Sequence, residues 1–200
     1  MRTIVVTGAL AVLLLGCTQQ AVARSHALQV PRQRSVSLFT RRAAAEARPA
    51  RPARPRNELR ALGLDVLARI NDQRGARGLR PLRVSRGLTA AAAYHSREMG
   101  LNGFFEHESV NGAPFWKRIE RFYPSGRSRW AVGENIFYES PDTTARSTVH
   151  EWMTSPPHRE NILSPEWRQI GIGAAHFASA KGTFGGDSVT IVTADFGARG

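Results

Sequence analysis

The first segment with a regular pattern of apolar residues is 59–70. Apolar side chains recur there every three or four positions, which is the spacing of one face of an α-helix. They are Leu59, Leu62, Val66, Leu67 and Ile70. Gly75 and Gly78 follow, and glycines directly after a periodic segment are typical of a helix end. The pattern therefore predicts a helix that ends near Gly75.

A second helix is predicted from Ser85, which can serve as its N-cap, to about Leu101. One stripe of this helix consists of Leu88, Ala92, His95 and Met99. Because His95 shares the stripe with apolar side chains, we interpret it as a hydrogen-bonded core residue rather than as a ligand.

Two shorter helices are predicted in the middle of the chain. Residues 115–123 form the first, which Pro124 ends. The second begins after Asp142, whose side chain can cap it, and Pro156-Pro157 end it. The side chains that the second helix buries are Ala145, Val149 and Trp152.

The last quarter of the chain has the pattern of β-strands. Residues 170–177 and 188–196 are rich in apolar and β-branched side chains, and the glycine-rich segment 181–186 separates them. Two such segments with a short turn between them predict an antiparallel hairpin. Helices come first and strands last, which predicts an α+β layered domain.

The N-terminal residues 1–23 have the pattern of a signal peptide, with a positive start and an apolar run that is too short to span a membrane. Two processing sites are open. The segment before Cys17 resembles a bacterial lipobox, which would make Cys17 a lipidation site, and residues 21–23 resemble an ordinary cleavage site. Both predict export, to the cell envelope as a lipoprotein or as a secreted protein. No cysteine follows Cys17, so the folded part contains no disulfide.

The net charge of +12 is concentrated in the N-terminal part of the chain. Residues 1–56 contain ten arginines and one acidic residue, which leaves +3 for residues 57–200. Residues 24–56 are rich in Arg, Pro and Ala, which predicts an extended linker. The linker is either a solvated spacer or a segment that anionic lipid headgroups attract. The modest charge of the folded part excludes a nucleic-acid partner.

Three polar residues, His107, Glu134 and His158, are candidates for chemistry because they fall in segments that we predict to be irregular backbone. Two neutral imidazoles with a carboxylate or a water molecule can make a zinc site with an open position. The chain has no H-E-x-x-H motif and no cysteine pair, so no local metal signature links the three.

Five short segments together resemble the CAP superfamily, whose domain is also called the SCP-like extracellular domain, and specifically its bacterial branch. They are AAYHSREM (92–99), FFEH (104–107), GENI (133–136), WMTSPPHRENIL (152–163) and IGIG (170–173). The resemblance covers about residues 57–196 and implies an α-β-α sandwich. It also implies a groove with two histidines and two acidic residues, where family members can hold a divalent cation, often zinc. His107, Glu134 and His158 match three of those four positions.

The fourth groove position departs from the family pattern. Ser155 stands where the second acidic residue is expected, and Glu151 lies one helical turn earlier. We interpret Glu151 as a solvated helix residue, because it lies nearly opposite Val149. A site without that carboxylate is expected to hold zinc or another divalent cation more weakly.

Three classes of function remain open. The first is a non-catalytic, monomeric binding module whose groove takes a lipid, glycan or peptide, with or without a metal. The second is a hydrolase of the peptidase type, with Glu134 as general base beside a metal between His107 and His158, or with Ser109 or Ser155 as nucleophile. The third is a structural or interaction protein of the cell envelope.

Overall fold

The computed structural model describes residues 54–125 and 129–199. The predicted signal peptide, the lipidation site at Cys17 and residues 24–53 of the predicted linker lie outside the described residues. Within the described part of the chain, no helix is both long and apolar enough to cross a membrane.

The four predicted helices and the two C-terminal strands are present, but two further strands lie between the helices, so the prediction that all helices come first was wrong. The helices are α1 (Arg56–Gly75), α2 (Arg86–Asn102), α3 (Phe115–Phe122), α4 (Ala145–Thr154) and α5 (Pro156–Leu163). The strands are β1 (Arg83–Val84), β2 (Trp130–Glu139), β3 (Gln169–Phe177) and β4 (Val189–Arg199). The predicted cap of α2 is confirmed, since the Ser85 hydroxyl accepts a hydrogen bond from the backbone N–H of Leu88 at 3.4 Å.

The strands form one sheet in the order β1-β3-β4-β2. β3 and β4 are antiparallel neighbours, which confirms the predicted hairpin. β4 is also antiparallel to β2, and β1 is parallel to β3. In the β2–β4 pair Glu134 lies directly opposite Asp195, so their side chains share one face of the sheet.

Helices cover both faces of the sheet, and the predicted α-β-α sandwich is confirmed. One core, which α1, α4 and α5 form with the sheet, includes Val66, Ile70, Trp152, Ile162, Val192 and Phe196. The core on the other face, which α2 and α3 form, includes Leu88, Ala91, Phe115, Ile119 and Val132. Both clusters consist of buried side chains, so the sheet is a central layer.

Glycines on β3 allow α2 to lie directly on the sheet. A methyl group at Gly171 would come within 1.9 Å of the Thr89 backbone nitrogen, and one at Gly173 within 2.1 Å of the Ala93 backbone nitrogen. The IGIG segment therefore combines two isoleucines that face α1 with two glycines that leave room for α2.

The buried side chain of Arg74 connects the end of α1 to the end of α5. Arg74 is 1% exposed. Its guanidinium donates hydrogen bonds to the carbonyls of Arg80 at 2.9 Å, Ile162 at 2.7 Å and Ser164 at 2.8 Å. Three carbonyls thus replace the water that this buried cation gives up.

One prediction about α4 was wrong and the other was incomplete. Its N-cap is Thr144, in a capping box with Ser147, and the carboxylate of Asp142 instead accepts hydrogen bonds from Arg54 and Thr190. The proline pair follows the end of α4 as predicted, since α4 finishes at Thr154 and Ser155 is extended, and it also begins a helix that was not predicted, α5, with Pro156 at the first helical position. Proline is favoured there because that position needs no backbone N–H donor.

Candidate functional site

The three predicted site residues meet beside β2, the outer strand of the sheet. His107 lies in the irregular segment between α2 and α3, Glu134 lies on β2, and His158 lies in the first turn of α5. The prediction of irregular backbone was therefore wrong for Glu134 and for His158. A strand and a helix start hold these two side chains more rigidly than loops would.

Glu134 is the centre of a buried polar network. One carboxylate oxygen, Oε1, accepts a hydrogen bond from Nδ1 of His107 at 2.9 Å, and the other, Oε2, accepts one from the guanidinium of Arg118. Nε2 of His95 lies 3.9 Å from Oε1 and hydrogen-bonds the carbonyl of Glu106 at 2.9 Å. The Glu134 side chain is 0% exposed, so these neighbours replace its hydration.

Arg118 fixes the loop that carries His107 as well as the carboxylate. It is 2% exposed, on the inner side of α3. Besides Glu134 it donates to the carbonyl of His107 at 3.1 Å and to the hydroxyl of Ser109 at 3.0 Å. One side chain thereby holds β2 and the His107 loop in a single geometry.

The charge state of Glu134 follows from these contacts. Burial by itself raises the pKa of Glu134, but the hydrogen bond from His107 and the charge of Arg118 outweigh burial and lower the pKa from 4.5 to about 2. The carboxylate is therefore ionised at neutral pH and can only accept hydrogen bonds. Nδ1 of His107 must then carry the proton in that bond.

A second carboxyl, that of Asp195, lies across the strand pair from Glu134. Asp195 is 0% exposed, and neither of its carboxylate oxygens has a hydrogen-bond donor among the described residues. Burial raises the pKa of Asp195 well above 3.8, and the negative charge of Glu134 raises it further. A proton on Asp195 turns it into a donor, with the Glu134 carboxylate as the acceptor across the strands.

The ring of His158 lies beside that of His107. His158 belongs to α5, on the opposite face of the sheet from α3. The two ring centres are 6.5 Å apart and the ring planes differ by 51°. Burial lowers the pKa of the His158 imidazole, and the neighbouring His107 lowers it further, so the ring is neutral at neutral pH. Neither ring nitrogen of His158 makes a hydrogen bond within the part of the chain that the structure describes.

Asparagine side chains hold the backbone of α5 against β2. Nδ2 of Asn135 donates to the carbonyl of His158 at 3.0 Å. Nδ2 of Asn161 donates to the carbonyl of Glu134 at 3.1 Å and to Oδ1 of Asn135 at 2.9 Å. A methyl group at Gly133 would come within 3.0 Å of Oδ1 of Asn161. The glycine of the GENI segment therefore provides space for this contact.

Ser109 and Ser155 lie in the segments that carry His107 and His158, whereas Glu151, His150 and His176 lie on α4 and β3. Ser155 stands between α4 and α5 and makes no hydrogen bond to His158 among the described residues. Ser109 accepts its hydrogen bond from Arg118. Glu151 and His150 are exposed on α4. His176 lies on β3, with Nδ1 2.9 Å from the Thr190 hydroxyl.

The donor set fits a two-histidine cation site. His107 uses Nδ1 for the Glu134 carboxylate, the arrangement that orients metal-binding histidines in proteins. Its side chain is 32% exposed and its Nε2 makes no hydrogen bond within the described ranges. Two imidazoles on one ion have ring centres roughly 5–6 Å apart, which is shorter than the 6.5 Å between the rings of His107 and His158. Among residues 54–125 and 129–199, no group of three or more His, Cys, Asp or Glu side chains is arranged to hold a metal.

Sequence reasoning missed Arg118 and Asp195. Arg118 falls at helical spacing between the buried Phe115 and Ile119, so a charged residue on a predicted inner face was the available signal. Asp195 falls in a strand that both helical layers cover, where an acidic residue is unusual for the same reason.

Comparison with known proteins identifies relatives of the same domain type. The model of the CAP family, the cysteine-rich secretory protein family, matches residues 67–196. The uncharacterized Bacillus subtilis protein YkwD is 34% identical over 109 residues, which cover 54% of this chain and 40% of YkwD. The uncharacterized membrane protein YlbC of the same species is 31% identical over 101 residues, 46% of this chain and 28% of YlbC. The chain thus matches less than half of the length of each relative.

Two solved structures share the fold. An extracellular protein containing an SCP domain from Bacillus anthracis has a TM-score of 0.57 at 19% identity, covering 75% of this chain and 45% of that one. An outer surface protein from Borrelia burgdorferi has a TM-score of 0.55 at 19% identity, covering 74% of this chain and 98% of that one. At these identities the likeness concerns the arrangement of helices and strands.

Proposed function

Since the chain belongs to the cysteine-rich secretory protein (CAP) family, we propose that it is an exported, non-catalytic module. It binds a divalent cation, zinc or a similar ion, between His107 and His158, and a lipid, glycan or peptide ligand beside the cation. The observation that carries this proposal is that both carboxylate oxygens of Glu134 already accept hydrogen bonds, one from His107 and one from Arg118.

A general base must be free to take a proton and must have a pKa near the working pH. Glu134 meets neither condition. Its carboxylate is fully buried and its pKa is lowered to about 2, so it is a weak base. These properties suit a residue that orients His107, and they argue against Glu134 as the base of a hydrolase.

The serine alternatives lack an activating partner. A nucleophilic serine needs a base within hydrogen-bond reach. Ser109 accepts from Arg118, which provides no base. Ser155 makes no hydrogen bond to His158 within the described residues, and the pair flanks a proline dipeptide at a helix start. Both features favour binding over nucleophilic catalysis.

The imidazoles of His107 and His158 would hold the cation. A divalent ion there would supply a positive centre that coordinates an oxygen of the ligand. The carboxylate of Glu134 would keep Nδ1 of His107 protonated and direct the ring. Because Ser155 occupies the position of a second acidic residue, we expect weaker affinity than a site with both carboxylates would have.

Zinc calorimetry tests the cation site. The purified chain is titrated with zinc and compared with His107→Ala, His158→Ala and the double variant, and His150→Ala serves as the exposed histidine control. Loss of binding in the two site variants and retention in the control support the proposal. Unchanged zinc uptake in the double variant eliminates it and leaves an envelope interaction protein as the alternative.

Turnover assays test the non-catalytic part. Casein and fluorogenic peptides are incubated with the zinc-loaded chain and with Glu134→Gln. We expect no turnover above that of free zinc. Hydrolysis that disappears in Glu134→Gln would instead assign the chain to the peptidases.

The leader supports export, and the lipobox-like segment supports Cys17 as a lipid attachment site. Cells that express the chain with isotope-labelled palmitate should label the wild type and not Cys17→Ser. Equal absence of label, with a mature N-terminus after Ala23, would assign ordinary cleavage and secretion instead.

A further inference from the structure

An apolar groove runs along the outer edge of β3, on the side of the sheet opposite the histidine pair. Its volume is about 500 Å³. Its walls are Leu59, Leu64 and Leu67 of α1 and Ala90 and Ala93 of α2, and its floor is β3 around Ile172. Leu64 is 53% exposed and Val84, at one end, is 56% exposed. We call this feature the β3-edge groove.

We propose that the β3-edge groove binds an extended segment of another polypeptide, which adds to the sheet beside β3 and carries acidic side chains. This is a binding site separate from the one proposed above, because β2 is one edge of the sheet and β3 lies toward the other edge, next to the two-residue strand β1.

The backbone at the floor of the groove is open for pairing. β1 consists of Arg83 and Val84, and the last bond it provides runs from the N–H of Ser85 to the carbonyl of Ile170 at 2.8 Å. Alternate residues of a strand direct their backbone groups to the same side. The backbone N–H and C=O groups of Ile172 and Ala174 therefore point to the same side as those of Ile170. They lie past the end of β1, where no described segment pairs with them.

Small residues keep the groove open above that edge. Gly63 faces Ile172, and a methyl group on Gly63 would touch the Ile172 side chain at 3.5 Å. Ala90 and Ala93 occupy the corresponding positions on α2. With Gly63 on the α1 side and the two alanines on the α2 side, a strand can reach the β3 backbone and place alternate side chains against α1 and α2.

The charge of the groove selects the partner. Arg56, Arg60 and Arg86 line it, no acidic residue does, and within the described part of the chain none of the three makes an ion pair or a side-chain hydrogen bond. Carboxylates of a bound segment would neutralise them. The arginine-rich residues 24–53 carry the same charge as the groove, which disfavours them as the occupant.

The open backbone favours a polypeptide over an acyl chain. An acyl chain in the groove would cover the polar groups of Ile172 and Ala174 without replacing their water, at a cost of a lost hydrogen bond for each. A strand supplies a donor and an acceptor at that spacing.

The test begins with a phage-displayed library of random linear peptides, panned against the purified chain. We expect enriched peptides that alternate apolar residues and contain Asp or Glu. The best one, synthesised with a fluorescent label, should bind about tenfold or more weakly to the Arg60→Glu/Arg86→Glu variant. The matched control, Arg77→Glu/Arg146→Glu, has the same net charge with both changes on exposed positions outside the groove, and should bind as the wild type does.

Amide hydrogen exchange gives the second readout. The bound peptide should slow exchange of the Ile172 and Ala174 amides in the wild type, and thermal melting checks that each variant is folded.

Three results overturn the proposal: no enriched peptide, binding that survives the charge reversal, or no slowing at these amides. Palmitate that displaces the peptide but leaves the exchange rates unchanged would make the groove a lipid site and also contradict the proposal. Peptide binding by His107→Ala/His158→Ala should equal that of the wild type.

Discussion

The imidazole of His107 donates from Nδ1 to the buried carboxylate of Glu134 at 2.9 Å. This contact converts a loop histidine into an oriented side chain whose other nitrogen remains available. It also explains why we interpret the carboxylate as a residue that positions His107.

Removing the partner of a buried carboxylate should destabilise the fold. Arg118→Met leaves the Glu134 charge with a single strong donor, so we expect a loss of about 3–5 kcal/mol in the free energy of unfolding. Urea unfolding measures it. Arg121→Met, on the exposed side of the same helix, is the control and should change stability by less than about 0.5 kcal/mol. Similar losses in both variants would contradict the role given to Arg118.

The pH dependence of stability should reveal the proton on Asp195. Since the folded-state pKa of Asp195 is raised, its contribution is fully present below the unfolded pKa, near 3.8, and is lost as pH rises through the folded pKa. An amide at this position cannot ionise, so the stability of Asp195→Asn relative to the wild type should increase as pH rises from about 4 to about 8. Urea unfolding across that range measures both proteins, and parallel pH profiles would show that Asp195 is not buried as a neutral acid.

Glu134→Gln should weaken cation binding without removing the ligands. The amide can still contact His107 but no longer attracts the proton on Nδ1, and loss of such an orienting partner typically costs about 10–100-fold in metal affinity. Zinc calorimetry of this variant should therefore give an intermediate affinity, between those of the wild type and His107→Ala. An affinity equal to that of the wild type would mean that the carboxylate does not orient the ring.

Gly173 of β3 should tolerate no side chain, because α2 packs directly on it. A methyl group there would overlap the backbone of Ala93, which cannot give way as a side chain can. We expect Gly173→Ala to lose about 3 kcal/mol of stability. Gly75→Ala, where a methyl group meets nothing within 4 Å, is the control and should be neutral or slightly stabilising. Thermal unfolding compares the two, and a neutral Gly173→Ala would contradict the close packing of α2 on β3.

Much of the fold could be predicted from local pattern. The stripe that contains His95 predicts both the burial of that residue and the course of α2, because a helix with one apolar face has one way to lie on a core. The β3–β4 hairpin is predictable for a similar reason, since a glycine-rich turn between two β-branched segments favours antiparallel pairing.

The site could be predicted only in part. Resemblance drew attention to His107, Glu134 and His158, but their neighbours depend on contacts between distant segments. Arg118 and Asp195 reach Glu134 through the packing of α3 and through strand register, so local spacing can indicate their burial but not their partner. The prediction that the proline pair ends a helix was incomplete, because a proline can end one helix and begin the next.

The most direct test of the central claim is a zinc titration followed by nitrogen NMR of the histidine rings. We expect that Nε2 of His107 and one ring nitrogen of His158 shift together, that Nδ1 of His107 keeps its proton, and that the exposed His150 does not respond. Zinc that shifts His150 or His176 first, or that shifts His107 and His158 at different concentrations, would contradict a shared cation site.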